Sequence, residues 1–121
     1  MVKFLLDTNM LILHVSGQTR LMFQRGEAVI SSLTLFESMR LPGLSESEEQ
    51  ALRDLMSLCR MISVNDRIAE NAAMLGRTHP KKKPIDLLIA ATALELCVPV
   101  ITKNVRDFKG IKNLEVYDHI P

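Results

Sequence analysis

The chain reads as an α/β protein: a small parallel sheet with helices on both faces. Three observations carry that expectation. Short apolar runs alternate singly with segments of helical period along the whole length. The runs are apolar throughout rather than one residue in two, as befits strands covered on both sides. No internal repeat, low-complexity run or linker interrupts the alternation, so residues 1–121 are expected to form one domain, long enough for a layered core.

Val2–Leu6 is the first strand, ending abruptly in Asp7, Thr8 and Asn9. Thr8 is placed to cap a helix from about Asn9, with Met10, Leu11, Leu13 and Val15 apolar and Ser16-Gly17 as its stop. Arg20–Gln24 is expected as a short helical turn before Arg25-Gly26. Ala28–Ile30 is the second strand, ending in Ser31-Ser32, and Leu33–Leu41 is a helix stopped by Pro42-Gly43. Ser45 with Glu48 three residues on is a capping-box pattern. It opens a helix over Glu46–Cys59, in which Leu52, Leu55, Met56 and Cys59 recur at helical spacing. Met61–Val64 is a third strand. Asn65 caps a helix Asp66–Arg77 whose Ile68, Ala72 and Leu75 share one face. His79–Pro84, HPKKKP, is a loop. Asp86–Leu96 is apolar almost all round and should be the most buried helix, with Pro84 at or just before its start. Val98–Thr102, a turn at Val105–Phe108 and Leu114–Tyr117 complete the alternation.

Net charge is +1, so no global field announces a polyanionic partner, and any basic surface must be local. No run of about 18 apolar residues offers a membrane span, and the first residues are too short a run for a signal peptide. A cytoplasmic location is expected. Cys59 and Cys97 sit in apolar contexts and read as buried free thiols. His14, His79 and His119 stand apart, without ligand spacing.

In a parallel sheet all strand ends and the helix starts after them share one rim, where ligands bind. Asp7, Glu37, Asn104 and Asp107 fall on that rim by topology. Asp86 opens a helix with no strand directly before it, and joins them only if the helix Asp66–Arg77 returns the chain there. Each acid also has an ordinary role: helix cap for Asp7, ion pair with Arg40 for Glu37, dipole partner for Asp86, turn cap for Asp107. Their joint placement points further. Gathered carboxylates raise one another's pKa and are tolerable when a cation neutralises them. Magnesium takes one or two carboxylates and keeps several waters, and can polarise a phosphate and acidify an attacking water. Ser31, Ser32 and Thr34 are candidates for capping or for orienting Glu37. Lys81, Lys82 and Lys83 are either a solvated loop or, with Lys103, contacts to a phosphate backbone.

These stretches resemble the PIN domain, and within it the VapC toxins of type II toxin–antitoxin systems. The resemblance lies in LLDTN at 5–9, SSLTLFE at 31–37, DLLIAATAL at 86–94 and VPVITKNVRDF at 98–108. It implies a Rossmann-like α/β/α sandwich and a magnesium-dependent endoribonuclease, with manganese as a substitute. Asp7 and Asp86 would be the main metal ligands, with Glu37 binding metal or orienting water. Thr8, Asn9 and Thr34 would support them by hydrogen bonding. The fourth acidic position falls on Asn104, with Asp107 one turn further on. A homodimer and a cognate VapB-type antitoxin are implied as partners. Two other readings stand beside this one. A catalytically silent PIN fold would serve only to bind protein or RNA. A receiver-type phosphoacceptor domain has a similar sheet, but needs a mid-chain acceptor where this chain has Asp54 inside a helix.

Overall fold

The computed structural model describes every residue from Met1 to Pro121. Its sheet has five strands, all parallel: β1 (Phe4–Leu6), β2 (Ala28–Ser31), β3 (Arg60–Ile62), β4 (Val100–Ile101) and β5 (Val116–Tyr117), in the order β3-β2-β1-β4-β5. Its helices are α1 (Thr8–Val15), α2 (Ser32–Met39), α3 (Glu46–Ser57), α4 (Asp66–Thr78) and α5 (Pro84–Leu96), with a 3-10 turn at Val105–Phe108.

Alternation along the strands builds two cores. Phe4, Leu6, Ala28, Ile30 and Ile101 face one side, where Met10 and Leu11 of α1 and Leu52, Leu55 and Met56 of α3 cover them. Leu5, Val29 and Val100 face the other, under Ile89, Ala90 and Ala93 of α5 and Phe108 of the 3-10 turn. Ile68 and Ala72 of α4 meet Leu87 and Ala91 of α5 in a smaller cluster. The expected sandwich is therefore present, and α5 is the most buried helix. No helix is long and apolar enough to cross a membrane.

Several expected boundaries move. β1, β4 and β5 are shorter than their apolar runs, β2 runs one residue further, to Ser31, and β3 spans Arg60–Ile62 rather than Met61–Val64. Asp7, not Thr8, is the N-cap of α1. Helix α5 starts at Pro84, so Asp86 is its third residue rather than its first. Arg20–Gln24 forms no helical turn. Leu21 is buried, Met22 is exposed and Phe23 lies edge-on to Phe4 at 6.1 Å, an alternation of period two rather than a helical face. The Leu21 N–H donates to Nδ1 of His14 at 3.0 Å, which fixes that segment against α1. The Ser45–Glu48 capping box forms as expected.

The thiols depart from expectation too. Cys59 is partly buried, and burial pushes its thiol up to about 11. Cys97 is exposed, at the left-handed residue (φ 55°) that ends α5 ahead of β4.

Ser38 of α2 is fully buried and its hydroxyl has no partner. A buried unpaired polar group costs about 1–3 kcal/mol, and alanine is the better helix former. Ser38→Ala is expected to raise stability by about 1 kcal/mol in urea titrations. An unchanged or lower midpoint would show that the hydroxyl is satisfied in solution.

Candidate active site

Strand order reverses beside β1, with β2 and β3 on one side and β4 and β5 on the other. Such a switch point opens a crevice beyond the strand ends. A cleft of about 690 Å³ lies there, lined among others by Asp7, Asn9, Glu37, Asp86, Asn104 and Asp107. Asp7, Glu37, Asp86, Asn104 and Asp107, the five positions expected to converge, all line it. Asp86 arrives because α4 and α5 form a helical hairpin whose small apolar cluster presses them together. Lys82 fastens that hairpin to the opposite wall: its Nζ donates to the Asp107 carbonyl at 3.1 Å.

Asp7 is the anchor. It is only 7% exposed, and it accepts three hydrogen bonds: Thr8 N–H to Oδ1 at 2.9 Å, Thr102 hydroxyl to Oδ2 at 2.9 Å and Asn9 amide to Oδ2 at 3.1 Å. The Thr102 hydroxyl is saturated. Besides donating to Asp7, it accepts from the Asn9 amide at 3.0 Å and from the Asn104 N–H at 3.0 Å. It thus links the end of β4 to the end of β1 across the crevice. Asn9 completes the link by accepting the Lys103 N–H at 3.2 Å.

Glu37 is held separately. Thr8 donates to its Oε1 at 2.6 Å, and the Thr8 and Thr34 hydroxyls lie 3.0 Å apart. Thr8 has one proton and spends it on the carboxylate, so Thr34 donates the bond between the threonines. The cap of α2 is Ser31, whose hydroxyl accepts from Leu33 N–H at 3.1 Å. Ser32 accepts from Val64 N–H at 3.4 Å. Of these hydroxyls, only Thr34 serves Glu37, and only through Thr8.

Burial and mutual repulsion set the charge state. Burial pushes the Asp7 carboxyl above its ordinary value, with smaller contributions from Glu37 and Asp107; its bonds from Thr102 and Thr8 oppose the rise. Burial, then Asp7 and Asp107, push the Asp86 carboxyl up to about 6, with Lys83 pulling the other way. The cleft therefore holds more negative charge than its own walls neutralise.

That donor set suits a hard divalent cation. It is all oxygen, with neither cysteine nor histidine on the cleft wall. No three acidic, histidine or cysteine side chains close on a common point, so the expected three-ligand shell of Asp7, Glu37 and Asp86 is not preassembled. Waters would complete the coordination, as magnesium prefers.

The expected basic contacts divide. Lys83 lines the cleft. Lys82 is committed to the Asp107 carbonyl, and Lys103 Nζ donates to the Asp118 carbonyl at 2.8 Å, away from the cleft wall. Lys81 is simply exposed. Sequence reasoning missed Thr102, and it named Arg40 only as an ion-pair partner of Glu37, whereas the structure lays Arg40 over Phe36 and forms no such pair. The place of Thr102 directly after β4, one strand from Asp7, was the available signal.

Comparison with known proteins agrees with this geometry. Residues 4–114 match the family model described as PIN domain. The chain is 30% identical to the tRNA(fMet)-specific endonuclease VapC of Shigella flexneri, over 98% of both chains. It is 31% identical to Ribonuclease VapC19 of Mycobacterium tuberculosis, over 92% of this chain and 96% of the relative. Among solved structures, DNA-bound VapBC from Salmonella typhimurium aligns with TM-score 0.78 and 26% identity, covering 96% of this chain and 97% of that one. A toxin–antitoxin complex from Klebsiella pneumoniae aligns with TM-score 0.74 and 28% identity, covering 93% and 95%. The matched span, the acid-lined switch-point cleft and these relatives agree: the chain belongs to the PIN domain family.

Proposed function

We propose that this chain is a VapC-type endoribonuclease, the toxin of a type II toxin–antitoxin pair, and that it works with magnesium. The observation that carries this reading is the convergence of Asp7, Glu37, Asp86 and Asp107 on one cleft whose charge is left uncompensated. The similarity to VapC nucleases supports the choice of RNA as substrate. The similarity to VapBC complexes supports a VapB-type antitoxin as partner, and a homodimer is proposed with it.

Asp7 and Asp86 would hold the cation, with Asn104 as a neutral oxygen donor and Asp107 adding charge from the same wall. When bound, magnesium supplies Lewis acidity toward the scissile phosphate and a more acidic attacking water. Glu37, fixed by Thr8, is aimed into the cleft to orient that water and accept its proton. Thr102 and Asn9 hold the Asp7 carboxylate in one rotamer, so its oxygens do not reorganise during the reaction. Lys83 offers a positive charge to the RNA backbone at the rim.

Water attack in line breaks the bond from phosphorus to the 3′ oxygen and leaves a 5′-phosphate and a 3′-hydroxyl. End-group analysis of cleaved RNA tests this. The expected result is 5′-phosphate ends, formed with magnesium and stopped by chelation. A 2′,3′-cyclic phosphate, or equal cleavage in chelator, would overturn the reading.

Thr102→Val, which keeps the shape but removes the hydroxyl, tests the support of Asp7. It leaves the Asn9 amide and Asn104 N–H short of an acceptor, and is expected to cost about 1–3 kcal/mol of stability. It should lower kcat about 10-fold or more, with KM nearly unchanged. Thr102→Ser should restore both. Full activity in the valine variant would remove Thr102 from any positioning role.

A further inference from the structure

Helix α2 presents two different faces. Thr34 and Ser38 are buried, and Leu35 and Met39 lie against the core. Phe36 is left 58% exposed, although it is one of only four phenylalanines in the chain. Arg40, one turn on, lays its guanidinium over the Phe36 ring at 5.6 Å from the centroid. Arg40 also lines the catalytic cleft, and Glu37 lies between the two in sequence. The stacked pair therefore stands on the shoulder of the acidic cleft.

We propose that Phe36 and Arg40 form a subsite for an unpaired nucleobase of the RNA flanking the scissile phosphate. This rests on the ribonuclease reading above and adds to it the feature of the substrate that is gripped. Single-stranded RNA is held by stacking its bases on aromatic rings and arginine planes, while cations take up its phosphates. The acidic centre repels the RNA backbone, so affinity must come from the rim. Arg40 and Lys83 are the two cations on the cleft wall. Arg40 combines charge with a flat surface, and its contact with Phe36 keeps that surface beside the ring. An unpaired base is the occupant that uses both the ring and the plane. A base inside a duplex has no free face to offer.

The test is equilibrium binding, followed by fluorescence anisotropy, of two labelled probes with calcium in place of magnesium. One probe is an oligouridylate; the other is the same ribose-phosphate chain without bases. Phe36→Leu keeps apolar area but loses the ring, and Arg40→Lys keeps charge but loses the plane. Each is expected to weaken oligouridylate binding about 10-fold, and to change binding of the abasic chain less than about 2-fold. Phe36→Tyr should bind both probes like the parent. Oligouridylate binding unchanged in Phe36→Leu overturns the subsite, as does equal loss on both probes. A variant whose only change is in self-association on a sizing column also overturns it, since the pair would then be a contact between copies. Cleavage in magnesium is scored separately. A parent chain that binds bases through this pair without cutting RNA would refute the nuclease and leave the subsite standing. A parent that cuts RNA, with Phe36→Leu binding normally, would do the reverse.

Discussion

Asp7→Asn is expected to lower RNA cleavage about 10³-fold while moving folding stability by no more than about 1 kcal/mol. The two halves of this expectation have separate causes. Asparagine cannot give the cleft the negative charge that would hold a cation, and Asp7 is the most buried acid of the cleft, bonded to Thr8 at the start of α1 and to Thr102 at the end of β4. Stability is different. The amide can satisfy the N-terminus of α1 as aspartate does. It cannot also accept from Thr102 and Asn9, because one of its two ends now donates. Losing these two hydrogen bonds is offset by no longer burying a charge that the fold already disfavours. The check is a pair of measurements on one preparation: multiple-turnover cleavage and a denaturant titration. A variant that is inactive and also unfolded would leave the catalytic role of Asp7 without support. A folded variant with near-parental cleavage would end it.

The fold was readable because strand alternation is a local signal. Phe4–Leu6 and Ala28–Ile30 announce themselves as buried strands from three residues each, and the parallel arrangement then puts Asp7, Glu37, Asn104 and Asp107 on one rim without further information. Asp86 was readable only conditionally. Its rim position depends on the packing of α4 against α5, a long-range contact that no short pattern encodes. Thr102 was hidden for another reason. A threonine closing a strand looks like ordinary β-propensity, and its value lies in three partners, the furthest in sequence being Asp7. Arg20–Gln24 misled because Leu21 and Phe23 sit two apart in a segment too short for period alone to decide. The lysine run HPKKKP looked uniform, yet its members part company. Lys83 faces the cleft, Lys82 braces the Asp107 turn and Lys81 is solvated.

The cluster should also make the metal-free protein more stable in mild acid than at neutral pH, opposite to the usual behaviour of paired carboxylates. In the unfolded chain Asp86 titrates near 3.8; in the fold it is pushed to about 6, and Asp7 is shifted in the same direction. The folded state therefore binds these protons more tightly than the unfolded one. Their stabilising effect is fully present below the unfolded value and is lost as the pH rises through about 6. Glu27, Glu48 and Asp118 are shifted downward, so what they add is lost only in stronger acid and does not mask this window. Between roughly pH 7.5 and pH 5 the melting temperature of chelator-treated protein is expected to rise by about 5 °C. Magnesium should reverse the slope. A cation that binds only the folded, ionised cleft stabilises by about 2.7 kcal/mol at a hundredfold excess over its Kd, and protons compete with it as the pH falls. Asp86→Asn removes the titrating group, so its metal-free melting temperature should exceed that of the parent at neutral pH and respond less to both acid and magnesium. If the parent melts at the same temperature across this window, with or without magnesium, the carboxylates are fully solvated and the cleft holds no cation.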